Sequence, residues 1–295
     1  MAGRNGGLNG SDMHHSIRII AAFLAGSLAS GAYALDWSDN ALGYRYGSHF
    51  AEPYLPAPIA KHILNFSHAS GYRYGTNFLN VDFLVSDDKD PASVGSGTGA
   101  REVYVVYRHT LDLGKLADRD FHLGPVRGLG ATAGFDWNTK TDAGYNSRKR
   151  MLVAGPTLML DVSGFLNMSL LALWESNAPY SGFSQISTPR YRYQTHPALD
   201  VSWGIPVGSR WSFEGYADYI AAKGTDEYGA ATAAETHLDM KLMFDLGPSL
   251  GVRKNSLKAG VGYEWWKNKF GNDASGPAGP GAFARTPMIR AEGHF

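Results

Sequence analysis

Apolar and polar side chains alternate with a period of two residues along most of the chain after residue 35. The clearest example is 256–268, where one face carries Leu257, Ala259, Val261, Tyr263 and Trp265. The intervening positions hold Ser, Lys, Gly and Glu side chains. A period of two is the spacing of an extended strand whose two faces differ, whereas an amphipathic helix would repeat every three to four residues. The pattern therefore predicts an all-β protein.

Strand segments of this kind can be counted along the chain. Twelve are predicted, at 41–49, 60–68, 73–86, 101–111, 128–138, 150–162, 165–175, 189–204, 210–222, 234–246, 256–268 and 285–295. Most are close to the ~9 to 11 residues that a tilted strand needs to cross a bilayer. Alternation alone also fits a soluble β-sandwich, which would bury the apolar face in a core.

The connections between these segments favour a membrane barrel. Those after odd-numbered segments are mostly long and polar, and those after even-numbered segments are mostly short, with 112–127 as the exception. Outer-membrane barrels combine long external loops with short periplasmic turns. We therefore predict a transmembrane antiparallel β-barrel of about 12 strands, with both termini on the periplasmic side.

The first 34 residues have the organisation of a secretory signal peptide. Arg18 precedes an apolar core at 19–29, and Ala32-Tyr33-Ala34 follows as a small-residue cleavage site. The core is shorter than the ~20 residues of a membrane-spanning helix, which argues against an uncleaved anchor. We predict cleavage after Ala34 and a barrel at 35–295, with Met13 as an alternative start. The expected location is the outer membrane of a Gram-negative bacterium.

Composition excludes several classes of function. The chain has 27 basic and 27 acidic residues, so it lacks the basic excess that attracts nucleic acid. It has no cysteine, which excludes disulfides and thiolate metal sites. Its histidines form no compact ligand motif, so neither a metal nor another cofactor is predicted. The 36 Gly, 16 Tyr and 7 Trp residues suit the turns and aromatic girdles of a membrane barrel.

If the apolar faces contact lipid, the opposite faces line the interior. The candidate residues of a solute path are Asp82, Asp136, Glu175, Arg192, Asp200, Glu214, Tyr216, Asp218, Asp239, Lys241, Glu264, Trp266, Arg290 and Glu292. Their mixed charge favours a neutral polar solute over an anion, and about twelve strands predict a narrow passage. Tyr216 and Trp266 are candidates for stacking on a flat solute. Alternatively, these charges pair across neighbouring strands and stiffen the wall, as Asp245 and Lys258 would in a simple hairpin.

Several stretches carry a resemblance to a known family. They are HILNFSHASGYRYGTNFLNVDFLVSDDKDP from His62, EVYVVYRHTLDLGK from Glu102, GFDWNTKTDAGYNSRKRMLVAGPTLM from Gly134, LWESNAPY from Leu173 and PGAFARTPMIRAEGHF from Pro280. Together they resemble the nucleoside-specific outer-membrane channels of the Tsx and OmpK family, in the branch labelled outer envelope protein. The resemblance implies a narrow, monomeric, twelve-stranded channel for nucleosides. The terminal Phe295 resembles the signal that the outer-membrane insertion machinery recognises.

Two other functions fit the same fold. Outer-membrane phospholipases are also twelve-stranded and use a Ser/His pair, but this chain has no G-x-S-x-G motif. It also has no His-Asp-Ser cluster, so we predict that the protein is not an enzyme. Isolated pairs such as His109 and Ser169 remain the alternative. The other function is that of an adhesion or phage-receptor protein, in which the external loops form the working surface.

Overall fold

The computed structural model describes residues 35–90, 99–141, 144–182 and 184–295. The predicted signal peptide at 1–34 lies outside these ranges. Within them the chain forms twelve long strands, which we number in chain order. They are β1 (Leu35–Glu52), β2 (Leu55–Tyr72), β3 (Gly75–Ser86), β4 (Arg101–Asp112), β5 (Val126–Thr141), β6 (Arg148–Leu160), β7 (Phe165–Asn177), β8 (His196–Val207), β9 (Trp211–Ile220), β10 (Glu235–Asp245), β11 (Leu257–Lys267) and β12 (Phe283–His294).

Each strand from β2 to β11 pairs antiparallel with the strand before it and the strand after it in sequence. The sheet closes because β12 pairs with β1, in a register that runs from Ala41 opposite His294 to Tyr46 opposite Ile289. Closure leaves none of these strands with an unpaired edge, which is the condition for a sheet that crosses hydrocarbon. The predicted fold class, an antiparallel barrel of about 12 strands, is confirmed.

The two faces of the barrel wall differ in chemistry. The outer face carries exposed apolar side chains, including Leu42, Leu64, Leu152, Leu170 and Ile289. The opposite face carries charged side chains that contact one another across intervening strands. Arg45 of β1 binds Asp82 of β3, for example, although β2 lies between them. Contacts that skip a strand are favoured on the concave side of a curved sheet, so the charged face is the interior.

We name the two ends of the barrel after the predicted orientation, so that the end with the short turns is the periplasmic end and the end with the long loops is the external end. Most periplasmic connections are tight, and the long one contains a helix. Arg73 and Tyr74 alone connect β2 to β3. Between β4 and β5, helix α1 (Leu113–Ala117) begins after Asp112, whose carboxylate accepts hydrogen bonds from the amides of Gly114 and Lys115 at 3.0 and 3.1 Å. A carboxylate at the N-cap satisfies amides that have no partner inside the helix. No helix in the described part of the chain is long and apolar enough to cross a membrane.

Some strand boundaries differ from the prediction. The strand predicted at 189–204 begins only at His196. Arg192 instead lies in the two-residue strand Tyr191–Arg192, which pairs with the end of β7, and its side chain is exposed. Its placement in the interior is therefore wrong. Alternating Tyr and Arg residues at 190–193 match the strand pattern, but they belong to an external loop that packs back onto the rim.

Candidate functional site

The interior face holds all the predicted path residues except Arg192. Asp82, Asp136, Glu175, Asp200, Glu214, Tyr216, Asp218, Asp239, Lys241, Glu264, Trp266, Arg290 and Glu292 alternate along their strands with outward-facing residues. The alternation follows from the pleat of each strand. Their contact with a solute stays a prediction.

Three arginine–aspartate pairs line the middle of the interior. Arg45 lies 2.5 Å from Asp82, Arg290 lies 2.5 Å from Asp239, and Arg108 contacts Asp136. The tyrosine hydroxyl of Tyr104 donates to Asp136 at 3.1 Å. We did not predict Arg45, Arg108 or Tyr104, although strand alternation was a sufficient signal. In β4 the alternate positions Glu102, Tyr104 and Arg108 share one face.

Arg290 reaches its partner because of a glycine on the strand between them. Arg290 is on β12 and Asp239 is on β10, so the guanidinium must pass over β11. A Cβ atom at Gly262 of β11 would collide with Nε of Arg290. The missing side chain at Gly262 therefore permits an ion pair that spans three strands.

Two carboxylates in the middle of the interior, Asp200 and Asp218, have little positive charge around them. They are direct partners across β8 and β9. Neither forms an ion pair with any residue in the described ranges, and Arg108 is the cation whose charge acts on both. This stretch of wall offers acceptor oxygens to the interior.

Lysines pair with glutamates nearer the periplasmic end. Lys241 lies 2.5 Å from Glu292 and 3.1 Å from Glu214, and Lys258 also lies 3.1 Å from Glu214. The predicted register of Asp245 opposite Lys258 is confirmed, but the two do not bind each other. Asp245 instead accepts hydrogen bonds from the turn amides of Gly247 and Asn255. The hairpin therefore fixes which residues lie opposite each other, but Lys258 takes its ion-pair partner, Glu214, from a third strand.

An aromatic column lies on the interior face of β9, β10 and β11 and continues into the loop that follows β11. His237 stacks on Trp266 with ring centroids 4.0 Å apart and an angle of 11° between the rings. Tyr216 meets His237 edge-on at 5.1 Å, and Phe270 meets Trp266 edge-on at 4.8 Å. Tyr216 and Trp266 were predicted, whereas His237, which joins them, was not. The column is a surface on which a flat ring can stack.

Buried charges cross the interior at its external end. Glu52 of β1 lies 2.6 Å from Lys61, 3.2 Å from Lys269 and 3.9 Å from Lys140. Lys140 also lies 2.8 Å from Asp90. Lys140 is on β5, four strands away from β1 around the barrel, so its approach to Glu52 passes through the interior. None of these side chains is more than 8% exposed.

A second group of charges lies at the same end. Lys223, from the loop after β9, lies 2.9 Å from Glu175 of β7 and 3.8 Å from Glu235 of β10. Burial of Lys223 disfavours its charged form, but the attraction of Glu175 and Glu235 outweighs burial and raises its pKa above the ordinary lysine value. Lys149 completes the group at 3.1 Å from Glu175. Ion pairs thus connect the loop after β9 to the barrel wall.

The periplasmic end contains a cavity of about 560 Å³. Its lining includes Trp203, Trp211, Ser212, Glu214 and Lys258. The cavity is large enough for a solute of nucleoside or monosaccharide size, since ligand pockets usually measure about 300–1,000 Å³. The interior therefore opens into this cavity at the periplasmic end, and layers of paired charge fill it between the cavity and the external end.

The single Ser/His pair that we singled out is divided by the barrel wall. Ser169 faces the interior, where its hydroxyl hydrogen-bonds to Thr157 at 2.9 Å. His109 is on the outer face of β4 and contacts Asn77 at 2.8 Å. The two side chains cannot act together on one substrate. No group of three or more His, Asp or Glu side chains in the described ranges is arranged to hold a metal ion.

Comparison with known proteins adds little to this geometry. No family model matches the sequence, and no curated protein does. Among solved structures, the chain is similar to a KdgM porin, with 9% identity over 86% of this chain and 99% of that one, at a TM-score of 0.42. It is also similar to the translocator domain of the autotransporter NalP from Neisseria meningitidis, with 9% identity over 97% of each chain, at a TM-score of 0.45.

Similarities as low as these do not indicate a function. The class of the protein follows from its own strands: a closed, twelve-stranded antiparallel barrel with a charged interior and an apolar outer face.

Proposed function

We propose that the protein is an outer-membrane channel through which small polar solutes diffuse. The observation that carries this proposal is the reversal of polarity across one wall, with charged side chains inside and exposed leucine, isoleucine and phenylalanine outside. Such an outer face is unfavourable in water, by roughly 25 cal/mol for each Å² of apolar surface. It is favourable in hydrocarbon, and a polar interior then becomes a route for water-soluble molecules.

Features of the chain ends support an outer-membrane location. A signal peptide at 1–34 would deliver the chain to the periplasm of a Gram-negative bacterium. The insertion machinery would then recognise Phe295, which is exposed directly after β12. We propose that the barrel inserts as a monomer, since closure satisfies every strand edge within one chain.

We propose nucleosides as the preferred solutes. The aromatic column of Tyr216, His237 and Trp266 offers a stacking surface for a flat base. Glu264 and Asp239 lie on the same interior face, and carboxylates accept hydrogen bonds from sugar hydroxyls. The mixture of Arg, Lys, Asp and Glu around the column suits an uncharged polar molecule better than an anion.

The test is transport by the purified barrel in lipid bilayers and in liposomes. A channel should give small single-channel steps, and nucleosides should block them and enter liposomes faster than sugars of similar size. Trp266→Leu should reduce this preference, whereas Trp265→Leu, its outward-facing neighbour, should leave it unchanged. The absence of conductance and of flux would refute the channel, and equal entry of sugars and nucleosides would refute the nucleoside preference.

A further inference from the structure

Arginine side chains form a patch on the outer surface of the barrel, at its external end. The patch consists of Arg148, Arg150, Arg190 and Arg192, and all four side chains are exposed. Arg148 and Arg150 flank Lys149 on β6, and Lys149 points inward to bind Glu175 at 3.1 Å. Because side chains alternate along a strand, Arg148 and Arg150 point outward.

The loop after β7 brings the other two arginines to the same place. Arg190 donates hydrogen bonds to the carbonyl oxygen of Arg148 at 3.2 Å and to the hydroxyl of Ser176 at 3.1 Å. Ser176 is the direct strand partner of Arg192 on one side and of Arg150 on the other. The arginine patch is thus one surface built from β6, the end of β7 and the loop.

The positive charge of the arginine patch is not neutralised by the described part of the chain. None of its four guanidinium groups forms an ion pair there. Partial burial and repulsion by Arg150 and Arg148 lower the pKa of Arg190. Like charges placed side by side are destabilising, so the arrangement favours a bound anion.

The height of the patch relative to the membrane follows from its neighbours. Trp137 is the direct partner of Arg150, and Trp174 is the partner of Leu152, two residues below Arg150 on β6. Trp174 is 47% exposed and Leu152 is 61% exposed. Outward-facing tryptophans mark the boundary between hydrocarbon and headgroups. Arg150 therefore lies level with Trp137 and about 7 Å beyond Trp174, and Arg148 lies about 7 Å further out, since a strand rises ~3.3 Å per residue. This places the patch at the headgroup layer.

We propose that the arginine patch binds the phosphate groups of lipopolysaccharide in the external leaflet. The inference rests on the proposed outer-membrane location and is independent of conduction. Guanidinium groups bind phosphate oxygens with two parallel hydrogen bonds, and several arginines together match a headgroup that carries more than one phosphate. Leu152 and Trp174 below the patch provide an apolar surface for the acyl chains of the same lipid.

The test compares lipids on the full-length barrel in a non-ionic detergent. The probes are bis-phosphorylated lipid A, the same lipid A after enzymatic removal of its phosphates, and inorganic phosphate. The test variant replaces the patch with Arg148→Gln, Arg150→Gln, Arg190→Gln and Arg192→Gln. The control variant removes four exposed basic residues from the periplasmic end, with Lys115→Gln, Arg119→Gln, Arg127→Gln and Lys254→Gln.

We expect phosphorylated lipid A to bind the wild-type barrel and the control variant with equal affinity. The patch variant should bind at least about tenfold more weakly, since the loss of a single charge-assisted hydrogen bond already weakens binding by about that factor. Arg150→Gln alone should give an intermediate loss, which keeps the test valid if the fourfold variant folds poorly.

Equal binding of dephosphorylated lipid A would overturn the proposal, as would unchanged binding by the patch variant. Displacement of lipid A by millimolar inorganic phosphate would also overturn it, because the patch would then be a site for a free anion. Conductance is measured separately in bilayers without lipopolysaccharide. A silent channel that still binds lipid A would refute the proposed function alone.

Discussion

The two ends of the barrel interior differ in how their charges are held. At the external end, Glu52, Lys61, Lys140 and Asp90 are almost completely buried and touch one another across the interior. At the periplasmic end, Glu214 and Lys258 line a cavity of about 560 Å³. The difference follows from the connections, because external loops return Asp90, Lys223 and Lys269 to the interior, whereas most periplasmic turns are too short to do so.

In the channel that we propose, this comparison indicates where a solute would meet resistance. Removing full charges from water costs several kcal/mol per ion, and only close partners repay that cost. A buried charge at the external end that loses its partner therefore strongly destabilises the folded barrel. Solute passage through the external end requires its charges to separate or exchange partners, whereas the cavity at the other end is already wide.

The largest expected effect comes from breaking the external group. Glu52→Gln removes the carboxylate that Lys61, Lys140 and Lys269 share. Loss of one partner from a buried ion pair costs about 3–5 kcal/mol, so we expect a loss of this size in the free energy of unfolding. Urea titration of the barrel in lipid vesicles measures it.

The control for that variant is Asp161→Asn in a periplasmic turn, where the side chain of Asp161 is 63% exposed. A change within about 0.5 kcal/mol is expected there, as for other surface substitutions. Equal losses for the two variants would mean that the two ends do not differ in the way we describe.

The next largest effect is expected at the three arginine–aspartate pairs, which lie between the two ends of the interior. Gly262→Ala places a Cβ against Nε of Arg290 and should displace the guanidinium from Asp239. We expect a loss of about 1–3 kcal/mol in unfolding free energy, as for other overpacked positions. Gly293→Ala is the matched control, because no atom lies within 4 Å of its added Cβ. An unchanged stability of Gly262→Ala would show that Arg290 does not need this passage.

A smaller effect is expected in the accessibility of single thiols. The chain has no cysteine, so each introduced cysteine can be followed alone. Ser212 lines the periplasmic cavity, and Ser147 is 7% exposed near the external end. A charged, water-soluble thiol reagent should label Ser212→Cys at least about tenfold faster than Ser147→Cys, since reaction requires an exposed thiolate. Similar labelling rates would contradict the difference in burial between the two ends.

The smallest effect concerns an exposed carboxylate outside the barrel wall. Hydrogen bonds from the hydroxyl and amide of Ser275 lower the pKa of Asp273. A lowered pKa in the folded state adds stability above the ordinary aspartate pKa, and that stability is lost as pH falls through the folded value. Asp273→Asn should therefore be slightly less stable than the wild type at neutral pH, and the two stability curves should converge as the pH falls below about 4. A gap between the two unfolding midpoints that stays constant as the pH falls below about 4 would count against this assignment.

The side of the wall on which most of the named charged residues lie was predictable from sequence, as was the register of at least one hairpin. Asp239 and Glu214 were assigned to the interior because residues two apart on a strand share a face. Asp245 was placed opposite Lys258 from the length of one turn. Arg192 was misplaced because a short loop segment can show the same alternation as a strand.

The sequence by itself determined the strand count, the closed antiparallel fold and the two faces of the wall, because these depend on local, period-two patterns that a bilayer enforces. Only the tertiary structure decided which charges meet. Lys140 and Asp90 are 50 positions apart in the chain, and Lys269 and Glu52 are 217 apart. Such partners are chosen by the curvature and closure of the barrel, which bring distant residues together, and no local pattern records that choice.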